Sequence, residues 1–346
     1  MKRKNLFLAL AISVLGLSSL QSCKKESALG IDNDVVIKTP YSLYFADIDG
    51  ALYLTNDGEH YQNIFPSDAF PVHLLLQADT NLLMLKKNLH ISKNNGNFVP
   101  SYYDTKFFPW NSMAYYFAPH KTIYLTSKVS RGVAISKDNG ETWQNDEAFA
   151  ANMPPGIEPS SFAGLKSTNA MFCFSNKNNV LMRRGNPDED WTPVTSEGFF
   201  PVDGTQFYLV SNDNTLFLVD QRGRGGVWYS EDEGAHWFRF QQGELPVKVN
   251  WNAAIATDQG RTIVVGTDSL GAYVVNNDQF VSSNGGLEIA SKIYSFVKKA
   301  NVYKNGNVKN YIYMANNYGM YRSENNGKDW DKLTFGIRGK AVTAVD

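Results

Sequence analysis

Ser136, Asp138, Gly140 and Trp143 fall within eight residues of the stretch ISKDNGETWQN. A hydroxyl, a carboxylate and a glycine at that spacing could hold a cation, shape an active site or brace a chain reversal. A calcium loop of the EF-hand type needs further oxygen ligands and a glutamate at its twelfth position. Here strand-forming residues follow instead. The pattern also recurs: Ser230, Asp232, Gly234 and Trp237 repeat it, as do Ser323, Asn325, Gly327 and Trp330 with an amide for the carboxylate. Asp or Asn can accept hydrogen bonds from nearby backbone N–H groups in a turn. Glycine takes the left-handed backbone that other residues adopt only at a cost, and tryptophan buries a large ring between sheets. The motif is therefore expected to be a structural turn, with no metal and no cofactor.

Less complete copies begin at Ser92 and Thr55, and two degenerate ones run from Arg184 to Trp191 and from Asn276 to Phe280. The seven copies start at 55, 92, 136, 184, 230, 276 and 323, a period of about 45 residues. Each unit carries four short β-rich runs separated by turn residues, as in TQFYLVSND, TLFLVDQ, GVWYS and HWFRF. Repetition of such a unit predicts an all-β, seven-bladed β-propeller with four-stranded antiparallel blades over residues 35–346. The first unit has only three strands, and the chain ends in the alternating run AVTAVD. Residues 341–346 should therefore supply the innermost strand of the first blade and close the ring.

The repeat resembles the Asp-box, or BNR, motif of sialidases, sortilin-type receptors, xyloglucan-cleaving glycosidases and a photosystem assembly factor. That resemblance covers the ring and implies a structural box on the face away from any active site. The functional face would then carry the loops from fourth to first strands and from second to third strands. Several are long and aromatic, including DTKFFPWNS and QQGELPVKVNW. Trp110, Arg131, Arg222, Arg224 and Trp251 are the candidate ligand-binding residues, because arginine beside aromatics suits carboxylates, sugars or peptides. Phe107, Phe108, Phe199 and Phe200 can equally plug gaps between blades. Sialidases carry an Arg-Ile-Pro segment, which this chain lacks. Glu158, Asp203 and Glu244 lie in suitable loops, yet nothing pairs them as a glycosidase requires. No catalytic residue is assigned.

The N-terminus bears on location. MKRKN followed by LFLALAISVLGLSS reads as a signal peptide over residues 1–22. Leu20-Gln21-Ser22-Cys23 resembles a bacterial lipobox, which implies lipidation of Cys23 and a tether over 23–34. Lys24 and Lys25 follow where an inner-membrane retention signal would place aspartate, so an outer-membrane location is expected. Net charge is −1 and no basic run tracks a phosphate backbone, which argues against nucleic acid. Cys173, within AMFCFSN, reads as a small buried hydrophobe. The expected role is an envelope lipoprotein whose propeller binds a glycan, another polymer or a protein partner. The alternative is a glycoside hydrolase of the sialidase-like or xyloglucanase-like kind.

Overall fold

In a computed structural model, the described residues are 35–36, 43–55, 60–68, 70–93, 97–101, 113–127, 132–152, 159–199, 204–247, 249–257, 260–303, 308–333 and 339–344. They form seven antiparallel sheets. From inner to outer strand, blade two comprises Leu74–Ala78, Asn81–Leu85, Leu89–Lys93 and Phe98–Pro100. Blade three comprises Ala114–Phe117, Thr122–Ser127, Gly132–Ser136 and Gln144–Asn145. Blade four has Ser161–Leu165, Ala170–Ser175, Val180–Arg184 and Thr192–Pro193. Blade five has Phe207–Ser211, Leu216–Asp220, Val227–Ser230 and Phe238–Arg239. Blade six has Trp251–Ala256, Ile263–Thr267, Ala272–Asn276 and Gln279–Ser282. The inner strands touch in cyclic order, and the seventh touches the first. The fold is a seven-bladed propeller, as the repeat predicts.

Blade one is assembled from both ends of the sequence. Its inner strand is Gly339–Ala344, followed outward by Leu43–Asp47, Leu52–Thr55 and Tyr61–Phe65. Leu43 pairs with Ala344, Phe45 with Val342 and Asp47 with Gly339. Blade seven has an unusually long inner strand, Ile293–Tyr303, then Val308–Asn316, Gly319–Ser323 and Asp331–Lys332. A two-residue strand, Val35–Val36, joins it by pairing with Tyr303 and Val302. Nothing in the sequence marks this fifth strand, because two valines are too few to show alternation. Val35–Val36 and Gly339–Ala344 thus join adjacent blades.

The packing follows from strand periodicity with both faces buried. In blade four, Ala170, Phe172 and Phe174 face blade five, whereas Met171 and Cys173 face blade three. Among the described residues the buried apolar side chains fall into seven clusters, one in each gap between neighbouring blades. Burial pushes the Cys173 thiol up, so it stays protonated.

The box turns lie between third and fourth strands and share one mesh. Ser136 donates to Asp138 Oδ1 at 2.8 Å, the Gly140 N–H donates to Ser136 Oγ at 2.8 Å, and the Thr142 N–H donates to Asp138 Oδ1 at 2.9 Å. Ser230, Asp232, Gly234 and His236 repeat these bonds at 2.9, 2.8 and 2.9 Å. Ser323, Asn325, Gly327 and Asp329 do so at 3.0, 2.9 and 3.0 Å. Two successive residues sit in the left-handed region: Asn139 and Gly140, Glu233 and Gly234, Asn326 and Gly327. Trp237 and Trp330 are 3% exposed and reach into the gap towards the preceding blade. Trp143 does the same with less burial.

The box glycine faces the same gap. A Cβ on Gly234, whose φ is +87°, would stand 2.2 Å from Leu181 Cδ2 in blade four. Backbone strain and overpacking then act together, so Gly234→Ala should cost about 2 kcal/mol or more. Urea denaturation of the variant measures that loss.

The degenerate copies use other devices. At Arg184, Asn186 Oδ1 accepts the Asp188 N–H at 3.0 Å and Glu189 accepts the Gly185 N–H at 3.0 Å. At Asn276 the turn shrinks to a two-residue hairpin, with Asn277 at φ +50° and Asp278 at +61°.

Candidate functional site

Strand direction separates the faces. Box turns and the turns between first and second strands lie on one face, and the remaining loops lie on the other. On that second face the loop 221–226 of blade five carries Arg222 and Arg224, both exposed. Its shape is set by Asp220, which is 0% exposed. Asp220 Oδ1 accepts the N–H groups of Gln206 and Arg222 at 2.8 and 3.1 Å. Oδ2 accepts those of Arg224 and Gly225 at 2.8 and 2.6 Å. Four donors satisfy a buried carboxylate that would otherwise be costly. Asp220 is not among the residues expected from the sequence, although an acid directly before the turn QRGRGG is the usual place for such a bond.

Arg222 donates through Nη1 to the Gly204 carbonyl at 2.8 Å, tying its loop to the one that precedes blade five. Trp251 lies beneath. It was expected beside a ligand, but it is 0% exposed and belongs to the apolar gap between blades five and six. Its indole N–H donates to the Pro246 carbonyl at 3.0 Å, and its backbone N–H donates to the Gln221 carbonyl at 2.8 Å. Polar neighbours in sequence made it look exposed, whereas it is the inward residue that begins an inner strand. Gly223, at φ +68°, lets the loop press onto the indole, since a Cβ there would lie 2.6 Å from the Val249 carbonyl. Trp251 therefore supports the arginine loop from inside and does not present a surface.

Of the other expected residues, Cys23, Trp110, Arg131, Phe107, Phe108, Phe200, Glu158 and Asp203 lie outside the described residues. Phe199 packs against Phe174, Phe207, Trp228 and Trp237, the gap-plugging arrangement. Glu244 is exposed and accepts the Ser282 N–H at 2.6 Å, linking blade five's exit loop to the outer strand of blade six.

The boxes show what their acids do. Burial opposes ionisation of Asp138, yet hydrogen bonds from Thr142 and Ser136 outweigh it and hold the carboxyl below its ordinary range. Asp232 behaves likewise, with His236 and Ser230 as donors. His236 Nδ1 lies 2.6 Å from Asp232 Oδ2, and that hydrogen bond and charge raise the imidazole above its ordinary value. A raised histidine stabilises the fold fully below about pH 6.5, and that contribution fades as pH climbs through the raised value. An NMR titration should place the His236 midpoint above that of a free histidine, and Asp232→Asn should bring it back.

No protein-family model matches the chain, and no curated protein matches it. Among solved structures, an ancestral GH74 enzyme aligns over 75% of this chain and 38% of its own, at 14% identity and a TM-score of 0.53. The extracellular domain of a B. thetaiotaomicron protein described as a hybrid two-component system aligns over 84% of this chain and 39% of its own, at 14% identity and 0.54. YCF48 from Cyanidioschyzon merolae aligns over 78% and 94%, at 10% identity and 0.49. The chain thus spans about two fifths of the length of the first two. At 14% identity the likeness to the first two is one of fold alone.

Proposed function

We propose that the protein is a lipoprotein anchored through Cys23 at the outer membrane, whose propeller holds a glycan, another polymer or an envelope protein without turning it over. The observation that supports this reading is the use to which three described acids of the loop face are put. Asp220 is saturated by four backbone N–H groups, and Glu244 braces two blades. Asp47 accepts the N–H groups of Asp49 and Ala51 at 3.0 and 2.9 Å. Glycoside hydrolysis instead needs two carboxyls facing one another, about 5 to 9.5 Å apart, with protons to exchange. The exposed groups on the described part of this face include the guanidinium groups of Arg222 and Arg224, which suit carboxylates and peptide carbonyls.

A panel of envelope glycans tests the reading, with binding followed by calorimetry and sugar release by chromatography. Binding without release is expected, weakened about tenfold by Arg222→Ala combined with Arg224→Ala. Sustained release of sugar overturns it in favour of a glycosidase.

A further inference from the structure

A chain of polar side chains runs through the seam between blades three and four, from the box face to the loop face. Its outer member is His120, in the turn Ala118–His120 between first and second strands of blade three. His120 Nε2 lies 3.0 Å from the Asn169 carbonyl and 2.9 Å from that of Gly185, both in turns of blade four. Nδ1 lies 3.0 Å from the hydroxyl of Tyr124, a residue that is 0% exposed. Next comes Arg184, whose charge bears on both His120 and Tyr124. Its guanidinium meets Asp146, and Asp146 Oδ1 accepts the Phe149 N–H at 3.3 Å, inside the helix Glu147–Asn152 of the loop face.

The partners fix the tautomer. Carbonyl oxygens only accept, so Nε2 carries the ring proton, and Nδ1 is left to accept from the Tyr124 O–H. The closed seam thus suits a neutral imidazole. A proton on Nδ1 would turn that bond round, and the Tyr124 hydroxyl proton would then need another acceptor. Arg184 offers none, because a guanidinium only donates. The charged groups that act on the ring are Arg184 and Glu189; Asp188, in the same turn as Glu189, is held by Lys137 at 2.5 Å. Burial, reinforced by Arg184, holds the imidazole below its ordinary value against the two carbonyls and Glu189.

We propose that His120 is an acid-sensitive latch on the seam between blades three and four, and that its release passes through Tyr124, Arg184 and Asp146 to the helix Glu147–Asn152. The seam closes on a neutral ring, and an opened turn returns the imidazole to its ordinary value. Closing therefore contributes fully above about pH 6.5 and weakens as pH falls below it towards the depressed midpoint. Each unit of depression is worth about tenfold in the ratio of closed to open seam. Asp146 conveys the change because one carboxylate serves the Arg184 guanidinium, the Trp191 indole N–H and the Phe149 N–H together. The latch needs no ligand and stands apart from the arginine loop of blade five.

NMR of the full chain between about pH 7.5 and about pH 5 tests the latch, a window that spans histidine titration. The His120 ring should show the Nε2–H tautomer and a midpoint below that of a free histidine. Exchange of the Trp191 indole N–H and the Phe149 amide, corrected for its intrinsic pH dependence, should speed up as pH falls, by about tenfold per unit of depression. The amides of Leu216–Asp220 in blade five should keep their protection. His120→Gln, which cannot titrate, should abolish the response, and the ring titration of the wild type decides the matter even where that variant fails to fold. A midpoint at or above that of a free histidine, an Nδ1–H tautomer, a wild-type exchange rate indifferent to pH, or the same response in His120→Gln overturns the proposal.

Discussion

Deletion of residues 339–346 is expected to loosen the entire ring and not merely fray one blade. That strand pairs with Leu43–Asp47 along its length, and the Val342 N–H also donates to Ser295 Oγ of blade seven at 3.0 Å. It covers Leu43 and Phe45, which are 1% and 0% exposed and share a cluster with Tyr313 and Met320. Exposing two such side chains costs about 1.5 to 3 kcal/mol each, before the lost ladder is counted. A total on the order of 5 kcal/mol is comparable with the whole stability of many domains. The melting temperature should fall by about 10 °C or more. A melting curve superimposable on that of the full chain contradicts ring closure.

The second large effect concerns Asp146 and Arg184. Their side chains are 3% and 0% exposed and meet at 3.0 Å between blades three and four. Asp146 also accepts the Trp191 indole N–H at 2.9 Å, and the Arg184 guanidinium lies 4.6 Å from the centre of that indole. Arg184 occupies the position that serine holds in the complete boxes, so blade four replaces a turn mesh with a buried ion pair. Asp146→Ala leaves both a charge and an indole donor without their acceptor. Breaking a buried pair in this way costs about 3 to 5 kcal/mol. Asp146→Leu combined with Arg184→Met removes both charges and should recover much of that loss. Denaturant unfolding of Asp146→Leu, Arg184→Met and the double variant decides it: additive losses would mean that the two side chains do not act as a pair.

The repeat made the ring legible because each blade rewrites the same local problem. Serine, aspartate or asparagine, and glycine must close each complete box turn, and tryptophan must fill the gap behind it, so the spacing survives in the sequence. Closure by AVTAVD was legible for a related reason, since the first unit lacked a strand. What crosses between blades left no local trace. Asp146 and Arg184 are 38 residues apart and meet only once the ring exists. Trp251 was misplaced because Asn250 and Asn252 flank it, while its orientation depends on where the inner strand begins.

Amide hydrogen exchange across Gly339–Ala344 tests most directly whether this is one ring sewn shut at blade one. Hydrogen-bonded amides in that strand should exchange as slowly as those of Leu216–Asp220 in blade five, both opening only with global unfolding. Exchange at the rate of an unstructured tail, with blade five still protected, would contradict it.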